Sequence, residues 1–167
     1  MFVSVRWAKT PTQPTESSAS VFRRDGTLLL LDNSAWARLG SPSLPESRRL
    51  EIAATIENGG IAVCAPFLLE AGWSARSAAH HDEVLADLLQ LPFLPIDADV
   101  EHGALSAQRE LAHRGHHRSA SPSDLLIAAC AHVNQVGILR YDRDYDLLAE
   151  LTGLAFESNW LADAGTL

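Results

Sequence analysis

Lysine is nearly missing from this chain: Lys9 stands alone among 167 residues. Schemes that set a lysine beside a phosphate, such as receiver-type phosphoacceptors and haloacid-dehalogenase-like phosphatases, therefore lack their cation in the region that reads as folded. The Gly-Lys-Ser/Thr phosphate loop is absent, and so is the glycine fingerprint of a dinucleotide-binding unit. Cysteine is scarce too. Cys64 and Cys130 lie in apolar runs and read as small core residues, not as a disulfide pair or half of a zinc site. A reducing, cytoplasmic setting is the simplest one for them. No run approaches the roughly 20 apolar residues of a membrane span, and the N-terminus lacks an apolar signal core. A soluble protein with no membrane partner is expected.

Basic charge is thin: 13 Lys and Arg face 21 Asp and Glu, for a net charge of −8. This excludes a uniformly basic surface gripping nucleic acid, but not a local basic rim. Almost every cation is an arginine, whose planar fork suits phosphate.

What is present suits one domain with a full core, since 47% of the residues are hydrophobic. Residues 1–27 carry the polar, proline-bearing stretch Thr10 to Ser18 and read as a disordered extension. From Leu28 onward, short apolar runs alternate with helix-length amphipathic segments. Strands are expected at Leu28 to Leu31, Ile61 to Cys64, Phe93 to Ile96, Ile138 to Tyr141 and Leu154 to Phe156. The intervening helices include a short one over Ser34 to Leu39 and one from about Glu46 that Asn58-Gly59-Gly60 follows. Another opens at Pro66, and a fourth begins at His81 or Asp82. Longer ones run from Ala98 to Arg114 and from Ser121-Pro122 through Asn134, and a last one covers Asp144 to Leu151. This βαβ alternation indicates an α/β fold around a parallel sheet of about five strands.

Within that pattern, four acids fall where a parallel sheet delivers functional groups to one edge: Asp32, Glu70, Asp124 and Asp142. Each also has an ordinary reading. Asp32 closes Leu28 to Leu31 and can cap the next helix. Glu70 lies one turn into the apolar segment Phe67-Leu68-Leu69-Glu70-Ala71-Gly72-Trp73 and can belong to a solvated face. Asp124 completes the capping box Ser121-Pro122-Ser123-Asp124 ahead of a helix that is apolar nearly all round. Asp142 heads the alternating acids Asp142, Asp144 and Asp146, some of which can be merely solvated or capping. Gathered together, such carboxylates repel one another and raise their proton affinities unless a cation compensates. Mg2+ or Mn2+, which prefer oxygen ligands and phosphate, would supply that compensation.

The fragments Leu30-Leu31-Asp32-Asn33-Ser34-Ala35-Trp36, Ser123-Asp124-Leu125-Leu126-Ile127-Ala128-Ala129 and Leu139-Arg140-Tyr141-Asp142-Arg143-Asp144-Tyr145-Asp146, with Glu70 between the first two, occur in a telling order. In that order and spacing the chain resembles the PIN-domain ribonucleases, most closely the VapC toxins of toxin-antitoxin modules. The resemblance implies a three-layer α/β/α domain over residues 28–157, with 158–167 as a C-terminal tail. It implies endoribonuclease activity dependent on Mg2+ or Mn2+, with Asp32, Glu70, Asp124 and Asp142 as catalytic and metal-binding acids. Asp144 would be a further metal ligand, and Asn33 and Ser34 auxiliary residues supporting Asp32. An RNA substrate, a small cognate antitoxin and a homodimer are the implied partners. Three features depart from the family pattern: the N-terminal extension, Asn33 where Thr or Ser is frequent, and Arg140-Tyr141 where an apolar residue and Thr are frequent. A PIN endonuclease of RNA maturation or decay without an antitoxin, and a catalytically silent PIN-like module that binds RNA or protein, are the alternatives.

The densest basic segment, Arg109 to Arg118, precedes Asp124 by a short loop. Arg114, His116, His117 and Arg118 are the candidate RNA contacts there; the ordinary reading is a solvated helix end. A zinc site from His113, His116 and His117 is disfavoured. Asp97, Asp99 and Glu101 suit the first turn of a helix. Trp36 and Trp73 are expected to pack in the core before serving a partner groove.

Overall fold

The computed structural model describes residues 28–167. The expected disordered extension, residues 1–27, lies outside the described residues. Eleven elements follow one another: β1 (Leu29–Leu31), α1 (Asn33–Trp36), α2 (Glu46–Glu57), β2 (Ile61–Ala62), α3 (Ala65–Trp73), α4 (Ala78–Leu88), α5 (Ala98–His113), α6 (Pro122–Asn134), β3 (Gly137–Arg140), α7 (Asp144–Leu151) and β4 (Ser158–Trp160). They form an α/β fold whose parallel sheet has the order β2-β1-β3-β4.

That order sets the position of the site. From β1 the chain goes to β2 on one side, while β3 pairs with β1 on the other, with Leu31 opposite Leu139. The carboxyl ends of β1 and β3 therefore lie side by side where the strand order reverses, the usual crevice of an open α/β sheet. Up to Arg140 at the end of β3, both strands are apolar because helices cover them. Leu30, Leu31, Ile138 and Leu139 are all buried, and each such side chain contributes roughly 1.5–3 kcal/mol. In β3 the approach is so close that a Cβ on Gly137 would sit 2.6 Å from Leu29 Cδ2. Helix α6 is buried around most of its surface through Leu125, Ile127, Ala128, Ala129, Cys130 and Ala131. Its left-handed end at Gln135, φ 55°, turns the chain directly into β3.

The sheet has four strands among the described residues, against about five expected. Phe93 makes only an isolated bridge to Val63, through Val63 N–H to the Pro92 carbonyl and Leu94 N–H to the Val63 carbonyl. Pro92 and Pro95 bracket this contact, and neither has an N–H with which to continue a ladder. The strand expected at Leu154 to Phe156 begins later, at Ser158. The Leu154 and Ala155 N–H groups are already used on Thr152 Oγ1 and His132 Nδ1. The sheet thus extends past residue 157 into the supposed tail, and Leu161 is fully buried. Helix α4 starts three residues ahead of His81, because Ser77 Oγ accepts from His80 N–H and caps it.

Candidate active site

Asp32 leaves β1 as the N-cap of α1 and is 2% exposed. Three donors meet its carboxylate. Ser34 N–H and Ser34 Oγ reach Oδ2 at 2.8 and 2.5 Å, and the Tyr145 hydroxyl reaches Oδ1 at 2.7 Å. Burial, with the Asp32 charge beside it, pushes the Tyr145 phenol well above its ordinary pKa, so it remains a donor. Ser34 Oγ also accepts from Tyr141 N–H at 2.8 Å and so links the ends of β1 and β3.

Asp142 follows β3 and is half-buried. Its Oδ1 accepts Asp144 N–H at 3.2 Å. Burial, then the charges of Asp32, Asp124 and Asp144, raise its pKa from 3.8 to about 6. Asp144 is raised by burial and by Asp32. Asp124 is raised chiefly by burial, with Asp32 and Asp144 adding to it. The four aspartates therefore lie within one another's fields. Among the described residues, no group of three His, Cys, Asp or Glu side chains is already drawn up around a metal position. The donor set itself, all oxygen and carrying excess negative charge, is of the kind that suits a hard divalent cation.

Two of the ordinary readings prove true together with this clustering. Asp32 caps α1 through Ser34 N–H, and Asp124 forms the expected capping box. Its Oδ2 accepts Ser121 N–H at 2.8 Å, and Ser121 Oγ accepts Asp124 N–H at 3.1 Å. One oxygen of each aspartate thus serves a helix end, while its charge still acts on the other acids. Asp97 caps α5 as expected.

Glu70 is reached from α1 by a different side chain. Its Oε2 accepts Asn33 Nδ2 at 2.7 Å, so Asn33 supports Glu70 and not, as expected, Asp32. Trp36 packs edge-on against Phe67. Trp73, expected in the core, is 90% exposed, with Leu69 also exposed one turn earlier. The basic residues Arg114, His116, His117 and Arg118 are all exposed on the loop that Gly115, φ +77°, turns towards α6. Tyr145 escaped sequence reasoning. Its signal was position alone: three residues beyond Asp142, at the start of a helix.

The whole acidic constellation falls inside a stretch that a family profile recognises, since a PIN domain profile matches residues 29–151. This chain belongs to the PIN-domain family. Curated PIN relatives agree: Ribonuclease VapC18 of Mycobacterium tuberculosis is 37% identical over 139 residues, 82% of this chain and 97% of that protein. Ribonuclease VapC51 of the same organism is 33% identical, over 83% of this chain and 96% of that protein. Solved structures carry the fold at lower identity. VapBC2 from Rickettsia felis, bound to a promoter DNA fragment, gives a TM-score of 0.61 at 17% identity, covering 79% of this chain and 98% of that one. DNA-bound VapBC from Salmonella typhimurium gives 0.58 at 18% identity, covering 81% and 99%. The three-layer PIN fold inferred from the motifs is therefore the fold of this chain.

Proposed function

We propose that this PIN domain is a metal-dependent endoribonuclease and the toxin of a type II toxin-antitoxin pair. The observation that carries the reading is the gathering of strand-end and helix-start aspartates at one sheet edge, where burial and then one another's charge raise the pKa values of Asp124, Asp142 and Asp144, in a chain 37% identical to Ribonuclease VapC18. Asp32, Asp124, Asp142 and Asp144 would hold Mg2+ or Mn2+, with Glu70 at the flank. Such a cation, when bound, lowers the pKa of its water and stabilises charge on phosphate oxygens.

The chain's own residues do the positioning. Ser34 and Tyr145 hold the Asp32 carboxylate in one orientation, and Asn33 does the same for Glu70. Arg114, His116, His117 and Arg118 offer exposed donors to the RNA backbone. The products are 5′-phosphate and 3′-hydroxyl ends. Asp142 is protonated below about pH 6, so proton and cation compete there and activity rises through that pH.

The toxin reading draws on the VapC names of the relatives and on the VapBC complexes that share the fold. It makes a small antitoxin the partner, a homodimer the assembly and the cytoplasm the place of action. The exposed Leu69 and Trp73 are apolar surface of the kind a protein partner covers. Among the described residues no helix is long and apolar enough to cross a membrane.

The test is cleavage of total RNA by the wild type and Asp124→Asn, with and without chelator, followed by mapping of the new ends. Cuts that depend on both Asp124 and the divalent ion are expected. Cutting that survives both changes would sink the proposal.

A further inference from the structure

Arg140 is the largest side chain wholly buried in the described protein, at 1% exposure. A charge so placed persists only where partners compensate it. Its Nε donates to Ser158 Oγ, and its terminal nitrogens donate to the Asp142 main-chain carbonyl and to Asp146 Oδ1. Its Cζ lies over the Trp160 ring, 4.1 Å from the centroid. One of these partners lies in the turn that follows β3, one in the first turn of α7, and two in β4. The guanidinium therefore ties the turn carrying Asp142, and the start of α7 that carries Asp144, to β4, beyond residue 151 where the PIN match ends. It also commits the Asp146 carboxylate to an ion pair, whereas Asp142 and Asp144 lie within the field of Asp32.

We propose that Arg140 is a positioning residue for the cation site. By holding the Asp142 carbonyl and the Asp146 carboxylate at once, it fixes the backbone between them. It thereby sets where the Asp142 and Asp144 carboxylates stand. Lysine cannot replace it, because a single ammonium lacks the rigid fork that spans these partners. The inference rests on the reading that Asp142 and Asp144 hold a divalent cation.

The experiment is a Mn2+ titration of the full chain, read by the electron paramagnetic resonance of free Mn2+. Wild type, Arg140→Lys, Arg140→Met, Asp146→Asn and the Arg140→Met/Asp146→Asn double variant are compared. Each is first shown to be folded at the assay temperature by circular dichroism. Arg140→Met and Arg140→Lys are expected to bind Mn2+ about tenfold more weakly, the usual scale for losing a residue that orients metal ligands. Asp146→Asn loses less, and the double variant is no worse than Arg140→Met, because both changes break one contact. Folded Arg140 variants that bind Mn2+ as the wild type does would overturn the proposal and leave the cation reading standing. A wild type that binds no Mn2+ would overturn both. Should the Arg140 variants fail to fold, Asp146→Asn decides, since its half-exposed side chain can be changed without opening the core; unchanged Mn2+ affinity there would overturn the proposal.

Discussion

Asp32 and Asp142 end neighbouring parallel strands at the same sheet edge, yet the protein treats them in opposite ways. Asp32 is buried and receives three hydrogen bonds. Asp142 is half-buried, receives one backbone donor, and has a pKa raised to about 6. The negative charge of the first is answered by fixed protein dipoles. That of the second is left for something not part of the chain. On the proposed reading one strand end anchors the site while the other takes up the cation, and changing each residue should break the protein in a different way.

The largest effect is expected from replacing either acid by its amide. Asp142→Asn should slow RNA cleavage by on the order of a hundredfold or more without lowering the melting temperature in chelator. Asp32→Asn should lose cleavage and also destabilise the fold by about 1–3 kcal/mol, since an amide brings N–H groups to donors that need an acceptor. Urea melts of the two variants separate them. Equal stability losses would erase the contrast.

Stability against pH gives the next test. The folded state favours protonated Asp142, whose pKa rises from 3.8 to about 6. Its contribution is therefore complete below 3.8 and lost as pH rises through about 6, the reverse of a salt-bridged carboxylate. In chelator, the wild type should lose stability relative to Asp142→Asn across that window, and Mg2+ should restore it at the upper end. A difference that stays flat with pH would show that Asp142 is not strained by its neighbours.

Tyr145→Phe sharpens the Asp32 side. It removes one charge-assisted hydrogen bond and should cost about 1.5 kcal/mol, with a smaller loss of cleavage than Asp142→Asn. Thermal melts of folded Tyr145→Phe at neutral pH measure this.

The smallest effect extends the contrast to the arginines. Arg140 is fully engaged inside the protein, whereas Arg114 and Arg118 are exposed. Arg114→Ala and Arg118→Ala should each reduce the salt dependence of RNA binding by a slope of about 0.7, at unchanged melting temperature. An unchanged slope would return that loop to ordinary solvated surface.

Much of this was legible in the sequence because it is local. Alternating apolar runs, the capping box at Ser121 and Asp124, and Pro66 at a helix start all act within a few residues. Strands that needed a distant partner were harder to read. The apolar run at Phe93 looks like a strand until Pro92 and Pro95 meet Val63 and cannot extend the ladder. Ser158 to Trp160 looks like tail until it pairs with β3. In the candidate site, the acids were visible as residues closing strands or opening helices. Asn33 was assigned to the wrong acid because its reach to Glu70, 37 positions away, depends on how α1 meets α3.

The sequence by itself determined the kind of chemistry on offer. Without lysine in the folded region, and with acids at strand ends, short-range pattern already points to the divalent-metal chemistry on phosphate proposed for this chain. Only the tertiary structure decided which acid is satisfied and which is left exposed to its neighbours' charge. That choice depends on Tyr145 reaching Asp32 across 113 positions, and on Arg140 being sealed between β3 and β4. Such contacts are set by burial and strand order, which no local stretch of sequence encodes.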